Sequence, residues 1–248
     1  MRISVLFLAS AALLATACNA EKGAATANGA VEVTAKPVPA PNNGDWSTVV
    51  SKTPEGGFVM GNPNAKVKLV EFGSLTCPHC AAFEEEGGNS LVENYVKKGL
   101  VSWEFRNFVR DPFDMTATLL ARCGGEASFF GLTRNLFKDQ REWVGKIQAT
   151  DPAKMQSLQG MAPAQQFSTI ADLGGLKAYA SMRGVPRAKG EQCLANETEI
   201  NKLVQMNSDA VSTYSIPGTP TFLINGEVVE QTATWELLEP KIKEALNS

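Results

Sequence analysis

The sequence predicts an α/β fold in which a strand–helix–strand unit and a strand–strand–helix unit are separated by a helical insertion. Two short apolar runs, 67–72 and 101–105, have the composition of strands, with a helical pattern between them. Far downstream, two further runs flank Asn225 and Gly226, a dipeptide that favours a type I′ hairpin turn. The intervening residues, 112–214, show helical spacings of apolar side chains.

The first 17 residues are predicted to be a signal peptide. Arg2 precedes an uncharged run of 15 residues, which is too short for a comfortable membrane span. The run ends in LLATAC, which resembles the lipobox of bacterial lipoproteins and would make Cys18 the lipidation site. An ordinary signal-peptidase cut after Ala17 is the alternative. Either interpretation predicts a periplasmic protein, anchored to the membrane only if Cys18 is acylated.

Residues 18–45 are predicted to be a flexible tether, because they are rich in Ala, Gly, Asn and Pro and lack aromatic residues. Such a coil has an r.m.s. reach of about 30 Å. The folded part then comprises three segments. They are an N-terminal α/β part (46–111), the helical insertion (112–214) and a C-terminal part (215–248).

The first predicted helix spans 78–99. We expect it to bend at the glycine pair 87–88 and to restart at Ser90, whose spacing to Glu93 has the form of a capping box. The order strand, helix, strand implies a parallel strand pair with a right-handed crossover. A final helix over 235–246 closes the chain.

The charge balance and the histidine count exclude several classes of function. The chain has 23 basic and 26 acidic residues, so it lacks the basic field that concentrates nucleic acid. His79 is the only histidine, so a histidine-rich zinc site or a metalloprotease motif is ruled out. We therefore expect no metal, no cofactor and no nucleic-acid partner.

The predicted chemistry lies in Cys77-Pro78-His79-Cys80, where the first strong strand ends and a helix begins. Helix amides and the helix dipole favour an anion there, so Cys77 is expected to ionise readily. Pro78 suits the first helical position, and His79 is expected to add a second stabilising interaction. Because a thiolate attacks disulfides, these four residues form a candidate redox centre.

A CxxC pair can also serve other purposes. A structural zinc site lacks its second cysteine pair, and c-type haem attachment needs a histidine where Ala81 stands. An inert disulfide remains open for an exported protein.

The segment EFGSLTCPHC, together with GTPTF at 218–222, resembles the DsbA-like branch of the thioredoxin superfamily over 58–246. The resemblance implies a thioredoxin fold with a helical insertion. It implies that Cys77 is the exposed attacking cysteine and Cys80 the resolving one. It also implies that Pro220 is a cis-proline facing them and that the backbone of Thr219 pairs with extended substrate.

Glu71 lies six residues before Cys77. Its strand pattern leaves open whether it faces solvent, whereas the resemblance implies a buried acid that relays protons for Cys80. A buried carboxyl should have a raised pKa. Elsewhere, Cys123 and Cys193 are expected to form a structural disulfide, because the protein is exported. Two buried free thiols are the alternative. The bridge would contribute about 4 kcal/mol on the loop-entropy model.

The resemblance implies an envelope thiol-disulfide oxidoreductase that acts mainly as a disulfide oxidase. Its partners would be thiol-containing exported proteins and a quinone-linked membrane protein of the DsbB type, and it would be a monomer. A disulfide isomerase or reductase of the DsbC/DsbG kind is one alternative, favoured by a Thr before the cis-proline. A non-catalytic binding or chaperone-like envelope protein is another.

Overall fold

The computed structural model describes residues 33–41 and 44–248 of the chain. The predicted signal peptide, Cys18 and the first part of the predicted tether lie outside the described residues. Within the described ranges, no helix combines the length and the apolar character needed to cross a bilayer.

The described chain forms one sheet surrounded by helices. The strands are β1 Val50–Lys52, β2 Phe58–Gly61, β3 Val67–Gly73, β4 Val101–Asn107, β5 Thr221–Ile224 and β6 Glu227–Val229. The helices are α1 Pro78–Phe83, α2 Asn89–Leu91, α3 Pro112–Cys123, α4 Phe129–Lys138, α5 Gln140–Gln148, α6 Pro152–Ser157, α7 Pro163–Leu173, α8 Leu176–Ser181, α9 Arg187–Leu194, α10 Glu197–Tyr214 and α11 Trp235–Asn247.

The sheet has the strand order β1-β2-β4-β3-β5-β6. Strands β3 and β4 are parallel, and every other pair is antiparallel. The predicted fold class is therefore confirmed, with helices α3 to α10 inserted between β4 and β5. Strands β1 and β2 were not predicted, because each is too short to show a period of two over several residues.

Strand β3 lies in the middle of the sheet, and all its residues but Lys68 are buried. Burial on both faces explains its nearly continuous apolar sequence. It carries Glu71 into the protein interior and ends at Gly73, directly before the loop that leads to Cys77.

The first helix does not restart at Ser90 after its glycine pair, so that prediction was wrong. The backbone stays right-handed helical from α1 through α2, with wide π-type turns at Glu84–Gly88 and Val92–Val96. Glycine is needed at position 87 for packing, because a Cβ there would lie 2.5 Å from the Trp235 ring. The expected cap at Ser90 does not form, since that residue lies within the continuous helix.

The C-terminal hairpin is as predicted. Asn225 and Gly226 connect β5 to β6 with φ values of 52° and 93°, both in the left-handed region that a type I′ turn requires. Helix α11 follows and buries Leu238, Ile242 and Leu246.

A buried arginine joins the insertion to the sheet. The Arg122 guanidinium on α3 donates to Asn107 Oδ1 and to the Gly56 carbonyl oxygen, each at 3.0 Å. It also donates to Glu199 Oε1 on α10 at 2.6 Å. Because a buried charge must be compensated, these bonds fix α3 and α10 against the edge of the sheet.

Residues 33–41, which the sequence assigned to the tether, lie against the domain. The Val38 amide donates to the Lys98 carbonyl oxygen at 2.8 Å, and Trp46 Nε1 donates to the Val38 carbonyl oxygen at 2.9 Å. Val33 and Ala35 pack on the core. Gly99 permits this approach, because a Cβ there would lie 3.0 Å from the Val38 carbonyl oxygen.

Candidate active site

The four predicted redox residues occupy the start of α1. Cys77 is the N-cap residue, with extended backbone angles, and Pro78 is the first helical residue. The Ala81 amide donates to the Cys77 carbonyl oxygen at 3.2 Å. Both cysteines of the motif are free thiols.

Cys77 is not exposed, which differs from the expectation. Only 1% of its surface is accessible, because the turn at Thr219 and Pro220 lies over it. The Thr219–Pro220 peptide bond is cis, and the Cys77 thiol donates to the Thr219 carbonyl oxygen at 3.1 Å.

Hydrogen-bond donors lower the pKa of Cys77 to about 5, from an ordinary value of 9.0. The thiol of Cys80 is the strongest of them, and it outweighs burial, which opposes ionisation. The hydroxyl of Thr219 contributes next; it is buried and has no oxygen or nitrogen partner among the described residues. The backbone amides of Cys80 and His79 complete the set, as expected at a helix start.

The contribution of His79 comes from its backbone. Its amide helps to lower the pKa of Cys77, whereas the side chain is exposed, as is that of Pro78. No hydrogen bond from the imidazole to the sulfur is present in the described part of the chain, so the stabilising role expected for this ring stays a prediction.

Cys80 and Glu71 form the buried, proton-holding half of the site. Burial raises the pKa of Cys80 well above its ordinary value, and the bond to Cys77 and the charge of Glu71 raise it further. Glu71 is 1% exposed, and burial is likewise the main cause of its raised pKa. Trp103 Nε1 donates to Glu71 Oε2 at 3.1 Å, which holds the carboxyl in place.

A second acid, Glu84, was not predicted. Burial raises its pKa, against the opposing effect of the Arg134 guanidinium that pairs with it at 2.5 Å. Its charge in turn raises the pKa of Glu71. Its position four residues after Cys80 places both on one helix face, and that spacing was the available signal.

The loop before Cys77 is held by the helical insertion. Asp111 caps α3 and accepts a hydrogen bond from the Thr76 hydroxyl at 2.8 Å. Asp114, one turn further along α3, accepts from the Ser74 hydroxyl at 2.6 Å and from the Leu75 amide at 2.8 Å. The Asp111-Pro112 dipeptide signals a helix start, but nothing in the sequence indicated a contact with the loop.

Beside the motif runs a groove of about 740 Å³ between α1 and the insertion helices α4 and α5. Pro78 and Ala81 line one side, and Arg134, Lys138 and Arg141 line the other. The groove gives the region around the redox centre a polar, partly basic wall.

The other two cysteines form the expected bridge. Cys123 at the end of α3 and Cys193 on α9 are joined by a disulfide across 70 residues of sequence. The bridge lies within the insertion and contributes no group to the redox centre.

A sequence profile described as thioredoxin matches residues 53–244. The chain belongs to the thioredoxin family. A putative protein-disulfide oxidoreductase of Rickettsia bellii is 27% identical over 183 residues, which cover 73% of this chain and 62% of the relative. Disulfide bond formation protein D of Bacillus subtilis is 25% identical and is covered over 78% of its length. The chain spans about three fifths of the length of the Rickettsia relatives.

Solved structures show the same fold. The crystal structure of a protein-disulfide isomerase from Novosphingobium aromaticivorans superposes with a TM-score of 0.73 and 36% identity, over 77% of this chain and 97% of that one. Wolbachia pipientis alpha-DsbA1 superposes with a TM-score of 0.62 and 20% identity, over 85% of this chain and 94% of that one. The second likeness concerns the fold alone.

Proposed function

We propose that this protein is a thiol-disulfide oxidoreductase that forms disulfides in exported proteins through Cys77 and Cys80. The observation that carries the proposal is the opposite shift of the two thiols. The pKa of Cys77 is lowered to about 5, while that of Cys80 is raised well above its ordinary value. One cysteine is thereby suited to attack and to leave as a thiolate, and the other holds its proton.

The proposed reaction starts from the oxidised enzyme. A substrate thiolate attacks the Cys77 sulfur, the bond between Cys77 and Cys80 breaks, and Cys80 leaves as a thiolate that takes a proton from Glu71. A second substrate thiolate then attacks the substrate sulfur of the mixed disulfide, and Cys77 leaves as a thiolate. Two electrons pass to the enzyme, which ends with a Cys77 thiolate and a Cys80 thiol.

The lowered pKa of Cys77 sets the direction of this exchange. Stabilising the thiolate stabilises the reduced enzyme, by about 1.4 kcal/mol or about 30 mV for each pKa unit. Stabilising the reduced form makes the oxidised enzyme a stronger oxidant of its substrates. The same low pKa makes Cys77 a good leaving group from the mixed disulfide.

Substrate is proposed to bind as an extended segment along the turn at Thr219. A substrate amide would donate to the Thr219 carbonyl oxygen, which lies 3.1 Å from the Cys77 sulfur in this structure. A substrate segment held there would lie next to the Cys77 sulfur. Because recognition then uses the main chain, many thiol-containing proteins would be accepted.

The rest of the cycle is proposed from the resemblance. Reoxidation would come from a quinone-linked membrane protein of the DsbB type, with the protein acting as a monomer in the bacterial periplasm. Acylation of Cys18 would keep it at the membrane, near that partner.

A disulfide isomerase is the second candidate. It is favoured by the 36% identity to a structure described as a protein-disulfide isomerase, and by Thr219 before the cis-proline. Against it, the resemblance implies that isomerases of the DsbC kind carry a folded dimerisation domain ahead of the catalytic one. The described residues before Phe58 form only the docked segment 33–41, a short helical turn and β1.

Two assays separate the candidates. The first follows disulfide formation in a reduced, unfolded client, and the second follows recovery of a client with scrambled disulfides. We expect fast oxidation, weak isomerisation and a reduction potential well above that of the glutathione pool. Cys77→Ser should abolish oxidation, whereas the paired variant Cys123→Ser with Cys193→Ser should retain it.

A potential below that of glutathione would reject the oxidase and favour a reductase. Fast recovery of the scrambled client would favour the isomerase. Absence of both activities in the wild type would leave only a binding or chaperone-like role.

A further inference from the structure

The loop between β3 and α1, residues 74–77, determines where the Cys77 sulfur lies. Within the loop, the Cys77 amide donates to the Ser74 carbonyl oxygen at 3.1 Å, and the Ser74 and Thr76 hydroxyls share a hydrogen bond at 3.3 Å. The Ser74 amide also stabilises the ionised form of Cys80. A shift of this loop would therefore change the surroundings of both sulfurs.

Asp114 holds the loop from one side. It is 0% exposed, and its carboxylate accepts from the Leu75 amide at 2.8 Å and from the Ser74 hydroxyl at 2.6 Å. The Arg110 amide donates to the same carboxylate at 3.0 Å. A buried carboxyl group with three short bonds is costly to move, because displacement would leave buried donors and acceptors without partners.

Gln140 holds the loop from the other side. Its Nε2 donates to the Leu75 carbonyl oxygen at 2.8 Å and to the Cys77 carbonyl oxygen at 2.9 Å, which uses both amide protons. Gln140 is buried at the first residue of α5. The preceding residue, Asp139, accepts a bond from the Tyr179 hydroxyl at 2.7 Å, which fixes this helix end to α8.

Leu75 is thus held at both ends of its backbone by side chains from two helices of the insertion. Asp114 accepts a hydrogen bond from the Leu75 N–H, and Gln140 donates one to the Leu75 carbonyl oxygen. The sheet and α1 supply neither of these bonds. The geometry of the redox centre therefore depends on a part of the chain that lies outside the thioredoxin unit.

We propose that Asp114 and Gln140 are positioning residues that hold residues 74–77 so that the donors around Cys77 stay aimed at its sulfur. The proposal rests on the function proposed above, since it concerns the same thiolate. It makes the helical insertion a determinant of the redox chemistry.

The test compares two glutamines of the insertion. Gln140→Met removes both bonds to the loop and keeps the length of the side chain. Gln166→Met is the matched control, because Gln166 Nε2 also donates to a backbone carbonyl oxygen, that of Leu158 at 2.9 Å, and touches no part of the loop. The readouts are the ultraviolet thiolate absorbance of the reduced protein against pH and the reduction potential against glutathione.

We expect Gln140→Met to weaken the ionisation of Cys77 about tenfold, which is a pKa rise of about one unit, and to make the potential more reducing. Gln166→Met should match the wild type in both. If Gln140→Met fails to fold, Asp114→Asn replaces it, since this substitution keeps the shape and removes one acceptor. Wild-type ionisation in a folded variant would overturn the proposal.

The two proposals fail in different ways. If the wild type is strongly reducing but Gln140→Met still shifts the ionisation of Cys77, the positioning role stands and the oxidase does not. If the wild type is strongly oxidising and neither variant changes it, the oxidase stands and the positioning role is wrong.

Discussion

The two cysteine pairs of this protein differ in a way that burial does not explain. Cys77 and Cys80 are buried thiols, whereas Cys123 and Cys193 form a bridge that is partly exposed. If solvent exposure decided which cysteines react, Cys123 and Cys193 would be the expected reactive pair. The difference lies in local electrostatics, because donors surround Cys77 and a carboxyl lies near Cys80. The comparison teaches that reactivity follows the stability of the thiolate.

The largest expected effect concerns the bridge. Replacing Cys123 and Cys193 together by serine removes a loop constraint of 70 residues and should lower the free energy of unfolding by about 4 kcal/mol. Chemical denaturation measures this. The pKa of Cys77 should not change, which separates the two pairs. A lower cost than 1 kcal/mol would show that the bridge does not stabilise the insertion in the way we describe.

The next effect concerns the redox pair and depends on pH. A cysteine whose folded pKa is lowered adds stability that is fully present above its unfolded pKa, 9.0, and is lost as pH falls through about 5. Between about pH 4 and pH 7 the reduced protein should therefore gain about 3 kcal/mol relative to the oxidised protein. Unfolding curves of both forms measure this difference.

Cys77→Ser is the control for that titration, because the bridge and all other titrating groups remain. The gain should vanish in this variant. An equal gain in Cys77→Ser would assign the pH dependence to another group.

Much of the fold could be predicted because its signals are local. The hairpin follows from Asn225 and Gly226, whose backbone freedom a type I′ turn requires, and β3 from its apolar run. Gly87 favoured the wrong expectation that the helix restarts at Ser90, because a glycine that a helix needs for close packing resembles one that interrupts it. Trp235, which packs against Gly87, is far away in the sequence, so the residues around Gly87 do not indicate this contact.

The CxxC motif of the candidate site could also be predicted, but the residues that hold its loop in place could not. The two-residue spacing of Cys77 and Cys80 at a predicted helix start indicates a redox motif. Asp114 and Gln140 reach the same loop from distant helices, and each has an ordinary local explanation. An acidic residue in the first turn of a helix is explained by its favourable interaction with the helix dipole. A glutamine at a helix start is explained by exposure to solvent. Only the tertiary structure brings them to Leu75.

A smaller effect is expected from the proton-holding half of the site. Glu71→Gln keeps the bond from Trp103 but cannot accept a proton from Cys80, so resolution of mixed disulfides should slow at least about tenfold. Rapid mixing of the reduced enzyme with a disulfide substrate measures this step. Glu85→Gln is the control, because Glu85 is an exposed acid on the helical turn Glu84–Gly88 that follows α1. Equal rates in both variants would mean that Glu71 carries no proton for Cys80.

The smallest effect is expected at Thr219. Thr219→Val removes the hydroxyl that helps to lower the pKa of Cys77 and keeps the shape of the side chain. The pKa should rise by about half a unit, which is about 0.7 kcal/mol. Thiolate absorbance measures this shift. A fall in the pKa would contradict the role given to this hydroxyl.

The most direct measurement is a pH titration of thiolate absorbance in the reduced wild-type protein, repeated with Cys77→Ser. The account predicts one thiolate forming near pH 5 in the wild type and absent from the variant, with Cys80 still protonated above the ordinary range. A wild-type protein in which no thiolate forms until pH approaches 9.0 would contradict it.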